Sequence, residues 1–195
     1  MPVEQRTGSR KERREAARQK RREAARRRRA ATWLRRLLLG AVALAAVTAI
    51  GYWWYARAAD RAAWEYFPSQ GNAHIPRVDS PHEPYNSAPP TSGPHVSWLA
   101  PWGVHREPLP HEVLVHNLED GGVVIYYGCE DCPDLVAKLA AIVNRHKRVV
   151  LVPGRGLGHR IVLSAWTVLD RMQEFDEARI VRFIRTHEGV DHHGR

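Results

Sequence analysis

The sequence predicts an α+β protein with one N-terminal transmembrane helix, followed by a compact extracytoplasmic domain built on a mixed sheet. Three observations support this prediction. Residues 37–56 contain no charged side chain, and about 20 apolar residues in a helix cover the ~30 Å hydrocarbon core of a bilayer. Residues 68–110 contain ten prolines, which exclude long helices and central strands from that segment. Residues 112–188 then alternate short β-branched runs with stretches of helical spacing.

The charge distribution predicts how the helix is oriented. Residues 1–36 hold 15 Lys and Arg against 4 acidic residues, whereas residues 57–195 hold 15 against 17. The positive-inside rule therefore places residues 1–36 in the cytoplasm and residues 57–195 outside a plasma (inner) membrane. Trp53, Trp54 and Tyr55 form an aromatic belt at the outer interface.

Two other interpretations of the apolar segment remain open. Ala56-Arg57-Ala58 resembles the cleavage site of a signal peptide, but the apolar run exceeds the usual ~7–15 residues and bulky aromatic residues precede the site. A buried core helix is the other alternative, and no second apolar element nearby would cover all its faces. An uncleaved signal-anchor is the favoured interpretation.

The basic tail, residues 1–36, predicts a membrane partner. Anionic lipids of the inner leaflet attract each basic residue by about 1 kcal/mol. Nucleic acid is the alternative partner, because basic tails also neutralise phosphates. No aromatic residue interleaves the charges before Trp33, so bases have no stacking platform and no nucleic-acid binding is expected.

The outer part divides into a helical stalk at 57–67, an α+β domain at 68–190 and a flexible C-terminus at 191–195. A long Pro-rich loop at 68–110 opens the domain, and its apolar residues favour an ordered loop over disorder. The predicted order is then β-β-α-β-β-α, with the helices on one face of the sheet. The elements are a hairpin of strands 112–116 and 123–127, a helix from Pro133, strands 148–152 and 159–168, and a helix over 176–188.

Histidines concentrate at the start of the domain, where six of the 11 lie between residues 74 and 116. Neutral imidazole is the commonest protein ligand for zinc, copper and iron. Their spacing matches no standard zinc signature. Alternatively, the histidines could donate hydrogen bonds that stabilise the Pro-rich loop, which lacks the regular backbone hydrogen bonds of a sheet.

Several strings resemble a bacterial family of single-pass membrane proteins known only as a domain of unknown function, number 3105. The strings are GNAHI at 71–75, PPTSGPH at 89–95, HNLE at 116–119, GGVVIY at 121–126 and SAW at 164–166. The resemblance implies an extracytoplasmic domain behind an N-terminal helix. By residue matching it implies that His74, His95 and His116 are metal ligands, with Asp120 in the fourth role. The family usually has a histidine at this fourth position, and a carboxylate there favours harder metals.

Cys129-Glu-Asp-Cys132 follows a strand and precedes a helix, the placement of thioredoxin-like redox pairs. Glu130 and Asp131 oppose a thiolate at either sulfur. In an oxidising compartment the two cysteines are expected to form a local disulfide. Three interpretations stay open: an inert disulfide, a redox pair, or two thiolate ligands of a metal.

The functional prediction is a non-enzymatic module that binds or handles copper or zinc near the membrane. A thiol-disulfide oxidoreductase using Cys129 and Cys132 is the first alternative. A structural partner in an envelope complex is the second, and the sequence does not specify the protein partner.

Overall fold

The computed structural model describes residues 10–193, and the chain divides into two units, residues 1–57 and 58–195. Helix α1 spans Arg10–Ala62. The first nine residues of the predicted cytoplasmic tail and the last two of the predicted flexible C-terminus lie outside the described residues.

Within α1, the stretch Ala17–Ala56 contains an 18-residue window with a mean hydropathy of 1.8, which is long and apolar enough to cross a membrane. A signal sequence near the N-terminus has the same properties, so the span 37–56, its orientation and its placement in the plasma membrane stay predictions. The helix ends at Ala62, which is earlier than the helical stalk predicted to reach Phe67. Trp64 is buried instead, and its ring meets Phe183 edge-on at a centroid distance of 5.3 Å.

The second unit is built on one six-stranded mixed sheet. Its strands are β1 Glu65–Tyr66, β2 Gly103–Val104, β3 Val123–Tyr127, β4 Val149–Pro153, β5 Ile161–Ala165 and β6 Val168–Met172. Their spatial order is β1-β6-β5-β3-β4-β2. Strand β4 is parallel to β2 and β3, whereas the pairs β3–β5, β5–β6 and β1–β6 are antiparallel. The α+β class and the mixed sheet are therefore as predicted.

Helices cover both faces of this sheet: α2 His111–Glu119 on one, and α3 Pro133–Val143 and α4 Glu177–His187 on the other. Because strand side chains alternate, Val123 and Ile125 pack with α3 and α4, while Val124 and Tyr126 pack with α2. The prediction that all helices lie on one face is wrong for this reason.

The predicted hairpin of strands 112–116 and 123–127 is also wrong. Residues 111–119 form α2, which begins directly after Pro110. All seven residues from Val113 to Glu119 are buried, so the helix shows no exposed polar stripe that would reveal its period. Its valines favour a strand locally, but burial of the helix overrides that preference. Strand β3 pairs instead with β4 and β5, and the order from β1 onward is β-β-α-β-α-β-β-β-α.

The Pro-rich segment 68–110 is ordered by contacts with its neighbours. The Tyr85 hydroxyl donates to the carbonyl of Pro94 at 2.6 Å, and Thr167 N donates to the carbonyl of Thr91 at 3.0 Å. Gly93 has φ +116, and an added Cβ would lie 3.1 Å from the Tyr85 ring, so the glycine allows the chain to turn beneath that ring. The segment continues directly into His95.

Candidate metal centre

A short backbone bridge brings together two histidines from distant parts of the Pro-rich segment. His74 and His95 form an isolated parallel bridge. Ile75 N donates to the His95 carbonyl at 2.7 Å, and His95 N donates to the Ala73 carbonyl at 3.0 Å. Paired residues of a ladder point to the same side, so the two imidazole rings meet at a centroid distance of 5.0 Å.

Helix α2 supplies the other two groups. His116 and Glu119 are three residues apart and therefore lie on the same helix face. Between them, the Asn117 side chain fixes the Pro-rich segment: its Oδ1 accepts from Ala100 N at 2.9 Å, and its Nδ2 donates to the Ala100 carbonyl at 3.0 Å. The helix thus presents two potential metal ligands on one side, and the Asn117 hydrogen bonds attach it to the segment that carries the other histidines.

His74, His95, His116 and Glu119 form one cluster, which we call the His3Glu cluster. Each contributes one potential ligand atom, and these atoms all lie within 4.8 Å of one another. The ring centroid of His116 lies 5.3 Å from that of His74 and 5.1 Å from that of His95. Such a group could hold a metal ion, since imidazole nitrogen and carboxylate oxygen are both ligands for zinc and copper.

The Glu119 carboxylate lies at the centre of the cluster, with its side chain only 1% exposed. Asn72 Nδ2 donates to its Oε1 at 2.7 Å. Its Oε2 faces His95 Nε2 at 2.9 Å, His116 Nδ1 at 3.7 Å and His74 Nε2 at 3.9 Å. A buried carboxylate is costly unless a positive charge or hydrogen bonds compensate it, so this oxygen favours a cation beside it.

His116 adds a buried nitrogen that has no hydrogen bond. Its Nδ1 is buried without a hydrogen-bond partner among the described residues. The pKa of the His116 ring is lowered below its usual range, chiefly by burial and secondly by repulsion from the nearby His95 ring. Both facts favour a neutral ring at this position, and a neutral imidazole is the form that binds a metal ion.

The structure brings together three of the four residues that the sequence resemblance names as ligands, and Glu119 lies with them. His74, His95 and His116 converge, whereas Asp120 is outside the His3Glu cluster and Glu119 takes its place. Asp120 is the residue at which α2 ends, and its Oδ1 lies 3.5 Å from His193 Nε2. The predicted hairpin places His116 in a strand and Glu119 in the following connection, so it does not predict that the two residues share a helical face. Whether these residues ligate a metal stays a prediction.

His193 is a second residue that the sequence analysis missed, because it was assigned to the flexible C-terminus. Its Nε2 lies 3.4 Å from Glu119 Oε2, and its Nδ1 lies 2.8 Å from Asp191 Oδ1. The hydrogen bond with the Asp191 side chain raises the pKa of the His193 ring. The backbone beside it is also fixed, because His192 N donates to the Glu119 carbonyl at 2.9 Å.

The remaining three histidines between residues 74 and 116 lie outside the His3Glu cluster. His82 Nε2 is 3.5 Å from Glu112 Oε1, His105 Nε2 donates to the Pro101 carbonyl at 2.7 Å, and the His111 ring faces Tyr126 at 6.3 Å. The contact of His105 with the Pro101 carbonyl is of the kind expected by the alternative interpretation, in which histidines hold the loop by hydrogen bonds.

Cys129 and Cys132 are joined by a disulfide between β3 and α3. Both residues are partly buried and pack against the core that contains α3 and α4. The His3Glu cluster instead lies with α2 and the Pro-rich segment. With both sulfurs in a disulfide, the interpretation of the cysteines as thiolate ligands is not supported.

Comparison with known proteins returns one family. A family model described as "Protein of unknown function (DUF3105)" matches residues 80–194. The matched range includes His95, His116, Glu119 and His193, while His74 precedes it. Searches of curated proteins and of solved structures return no match. With more than half of its length covered by this model, the chain belongs to the DUF3105 family.

Proposed function

We propose that this protein is a non-enzymatic metal-binding module, anchored by α1 in the plasma membrane with its α+β unit outside. It binds zinc or copper at His74, His95, His116 and Glu119. The observation that carries the proposal is the convergence of three imidazoles and one buried carboxylate, whose ligand atoms lie within 4.8 Å of one another. The membrane placement rests on the apolar stretch in α1 and on the charge asymmetry around it.

The spacing of the cluster fits a small divalent ion. Four ligands at about 2.0–2.1 Å from a tetrahedral zinc ion are about 3.3 Å apart. The contacts of Glu119 Oε2 with the histidine nitrogens, 2.9, 3.7 and 3.9 Å, lie on both sides of that value. Side-chain movements of about 0.5 Å would bring these three contacts to that value, and the widest separation in the cluster, 4.8 Å, would have to shorten by about 1.5 Å to form a tetrahedral shell.

The groups behind the cluster orient its ligands. A metal-ligating histidine usually donates its other ring N–H to a carbonyl or carboxylate. His95 has this arrangement, because its Nδ1 faces the Gly93 carbonyl at 2.8 Å and a carbonyl can only accept. Asn72 does the same for Glu119 by binding the carboxylate oxygen that faces away from the histidines.

The donor set favours Zn²⁺ or Cu²⁺ over Cu⁺. Imidazole suits zinc and copper, a carboxylate suits harder ions, and Cu⁺ prefers thiolate or thioether ligands. Both cysteines are in a disulfide, so neither is free to supply a thiolate. The His74 side chain is 47% exposed, which leaves one side of the cluster open to an entering ion.

Titration of the full-length chain in detergent with Zn²⁺ and with Cu²⁺, followed by calorimetry, tests the proposal. We expect one bound ion per chain, and a loss of affinity of at least about tenfold for His95→Ala and for His116→Ala. His105→Ala is the matched control. His105 belongs to the same segment and is not part of the His3Glu cluster, and its ring nitrogen bonds to the Pro101 carbonyl. Weak binding that is insensitive to His95→Ala and His116→Ala would refute the proposal.

A second candidate function, thiol-disulfide exchange, is favoured by the position of the disulfide. Cys132 is the N-cap residue of α3, and no side chain caps that end of the helix. The helix dipole and the free amides of its first turn stabilise a thiolate there. In the reaction, a dithiol partner would lose two electrons and two protons and become a disulfide, while Cys129 and Cys132 become two thiols.

The reduction potential of the pair tests this second function. Equilibration of the full-length chain with glutathione buffers gives the potential, and double alkylation counts the free thiols. A value above about −230 mV would support exchange, and a value below about −300 mV would identify a structural disulfide and exclude the function. Glu130→Gln combined with Asp131→Asn should raise the potential, because removal of two exposed carboxylates favours the thiolate form.

A further inference from the structure

We propose that His193 is an additional, exchangeable ligand of the metal centre, which binds the ion at rest and opens the site when its exposed ring rotates away. The inference rests on the metal binding proposed above. It extends that proposal from storage of an ion to controlled release of the ion at one open side of the site.

His193 lies beside the His3Glu cluster and faces the same carboxylate oxygen as its three histidines. Its Nε2 lies 3.4 Å from Glu119 Oε2. That distance falls between the contacts of the same oxygen with His95, 2.9 Å, and with His116, 3.7 Å. Four imidazole nitrogens therefore lie within 3.9 Å of one carboxylate oxygen, and the His193 ring centroid lies 6.1 Å from that of His116.

Asp191 prepares the His193 ring for ligation. An ionised carboxylate only accepts hydrogen bonds, so His193 Nδ1, 2.8 Å from Asp191 Oδ1, carries the ring proton. In the neutral ring this leaves the lone pair on Nε2, which is the nitrogen that faces Glu119. The same carboxylate accepts from the backbone N–H of His193 at 2.8 Å, which fixes the turn that aims the ring.

The segment around His193 holds the backbone in place and leaves the ring accessible. Gly189 N donates to the Gly121 carbonyl at 2.7 Å, and His192 stacks on Trp166 at a centroid distance of 5.6 Å. The His193 side chain is nevertheless 47% exposed, whereas those of His95 and Glu119 are 0% and 1% exposed. Rotation of one exposed ring can thus open the site without disturbing its buried ligands.

His193 could instead serve only as an ion-pair partner, because its Nε2 also lies 3.5 Å from Asp120 Oδ1. The two roles differ in their consequences. A purely structural contact would make Asp120→Asn and His193→Ala equivalent and leave the bound metal unchanged. If His193 is a ligand, His193→Ala should change the bound metal and Asp120→Asn should not.

The experiment uses the full-length chain in detergent, loaded with Cu²⁺, with the variants His193→Ala, Asp120→Asn and His192→Ala. Electron paramagnetic resonance reports the nitrogen ligands, and stopped-flow transfer to a chelator reports the release rate. We expect His193→Ala to alter the spectrum and to release the ion at least about tenfold faster, with free imidazole restoring the spectrum. Asp120→Asn and His192→Ala should keep the spectrum of the unmodified chain.

Different failures have different meanings in this experiment. If the unmodified chain binds no Cu²⁺, the metal-binding function itself is wrong, and the role of His193 falls with it. If the unmodified chain binds and His193→Ala shows the same spectrum and release rate, only the exchangeable ligand is wrong. Circular dichroism of each variant shows that the comparison is made between folded proteins.

Discussion

His95 Nε2 lies 2.9 Å from Glu119 Oε2 while His95 Nδ1 contacts the Gly93 carbonyl at 2.8 Å. Both ring nitrogens therefore face oxygen atoms that accept hydrogen bonds. If Nδ1 donates to the carbonyl, Nε2 can approach an ionised carboxylate only when a proton or another cation lies between the two atoms. The proposed metal ion would occupy this position between the two atoms and bind both of them. Metal binding should therefore release protons, as it does at sites whose ligands must be deprotonated.

Glu119→Gln should weaken binding of Zn²⁺ by at least about tenfold, because the amide keeps the shape of the side chain but removes the charge that compensates the ion. Asp120→Asn should leave the affinity within about threefold, since Asp120 lies outside the His3Glu cluster. Competition with a chromophoric chelator measures both affinities. A large loss of affinity in Asp120→Asn with little change in Glu119→Gln would identify Asp120, and not Glu119, as the fourth ligand.

Asn117→Ala should destabilise the α+β unit by about 3 kcal/mol. The substitution leaves the buried N–H and C=O of Ala100 without their partner, and each unsatisfied buried group costs about 1–3 kcal/mol. Urea unfolding followed by tryptophan fluorescence measures the loss. Asn144→Ala is the control, because Asn144 is exposed at the end of α3 and its loss should cost under about 1 kcal/mol. Equal effects would show that Asn117 does not hold the Pro-rich segment.

Gly122→Ala should cost about 3 kcal/mol and also weaken metal binding. A Cβ at this position would lie 2.5 Å from the Asn117 carbonyl oxygen and 2.6 Å from the Trp102 ring, so the end of α2 must move. Gly156→Ala is the comparison: it has φ +78 but nothing within 4 Å, so only backbone strain of about 1 kcal/mol is expected. Thermal unfolding and zinc titration of both variants measure the two effects. A Gly122→Ala variant as stable as Gly156→Ala would contradict the close packing of this turn.

The metal-free protein should lose stability as the pH falls below 6.5. Burial lowers the pKa of His111 and of His187 below the ordinary histidine value of 6.5. Between that value and the lowered folded pKa, the unfolded chain binds protons that the folded chain refuses, so stability is present above pH 6.5 and is lost on acidification. The limiting slope is about 1.4 kcal/mol per pH unit for each such histidine.

Urea unfolding in the presence of a chelator, at pH values from 7.5 to 5.5, measures this slope. His187→Phe should reduce it, because the ring packs at 4.4 Å from Phe183 and a phenyl ring keeps that contact without titrating. The neighbouring His192 also lowers the His187 pKa, so His192→Ala should reduce the slope slightly. An unchanged slope in His187→Phe would assign the pH dependence to other groups.

Much of the fold follows from local sequence pattern. Pro133 and the apolar spacing after it predict α3, which begins at that residue. The run at 148–152 predicts β4, and the spacing of Ile180, Phe183 and Ile184 predicts α4, whose N-cap Asp176 accepts from Arg179 N at 3.0 Å. These elements have one buried side or a short fully buried run, so their period is visible in the sequence. Helix α2 was missed because it is buried on nearly all sides.

Sequence patterns predict the α+β class, an apolar N-terminal helix and the cysteine pair, and a family resemblance adds the three histidines. The three-dimensional fold was needed to show that Glu119 rather than Asp120 lies with them, and that His193 lies beside them. The reason is physical. Ligand convergence depends on the bridge between His74 and His95 and on the helical face shared by His116 and Glu119. Both are set by long-range packing against the sheet, which local sequence pattern does not contain.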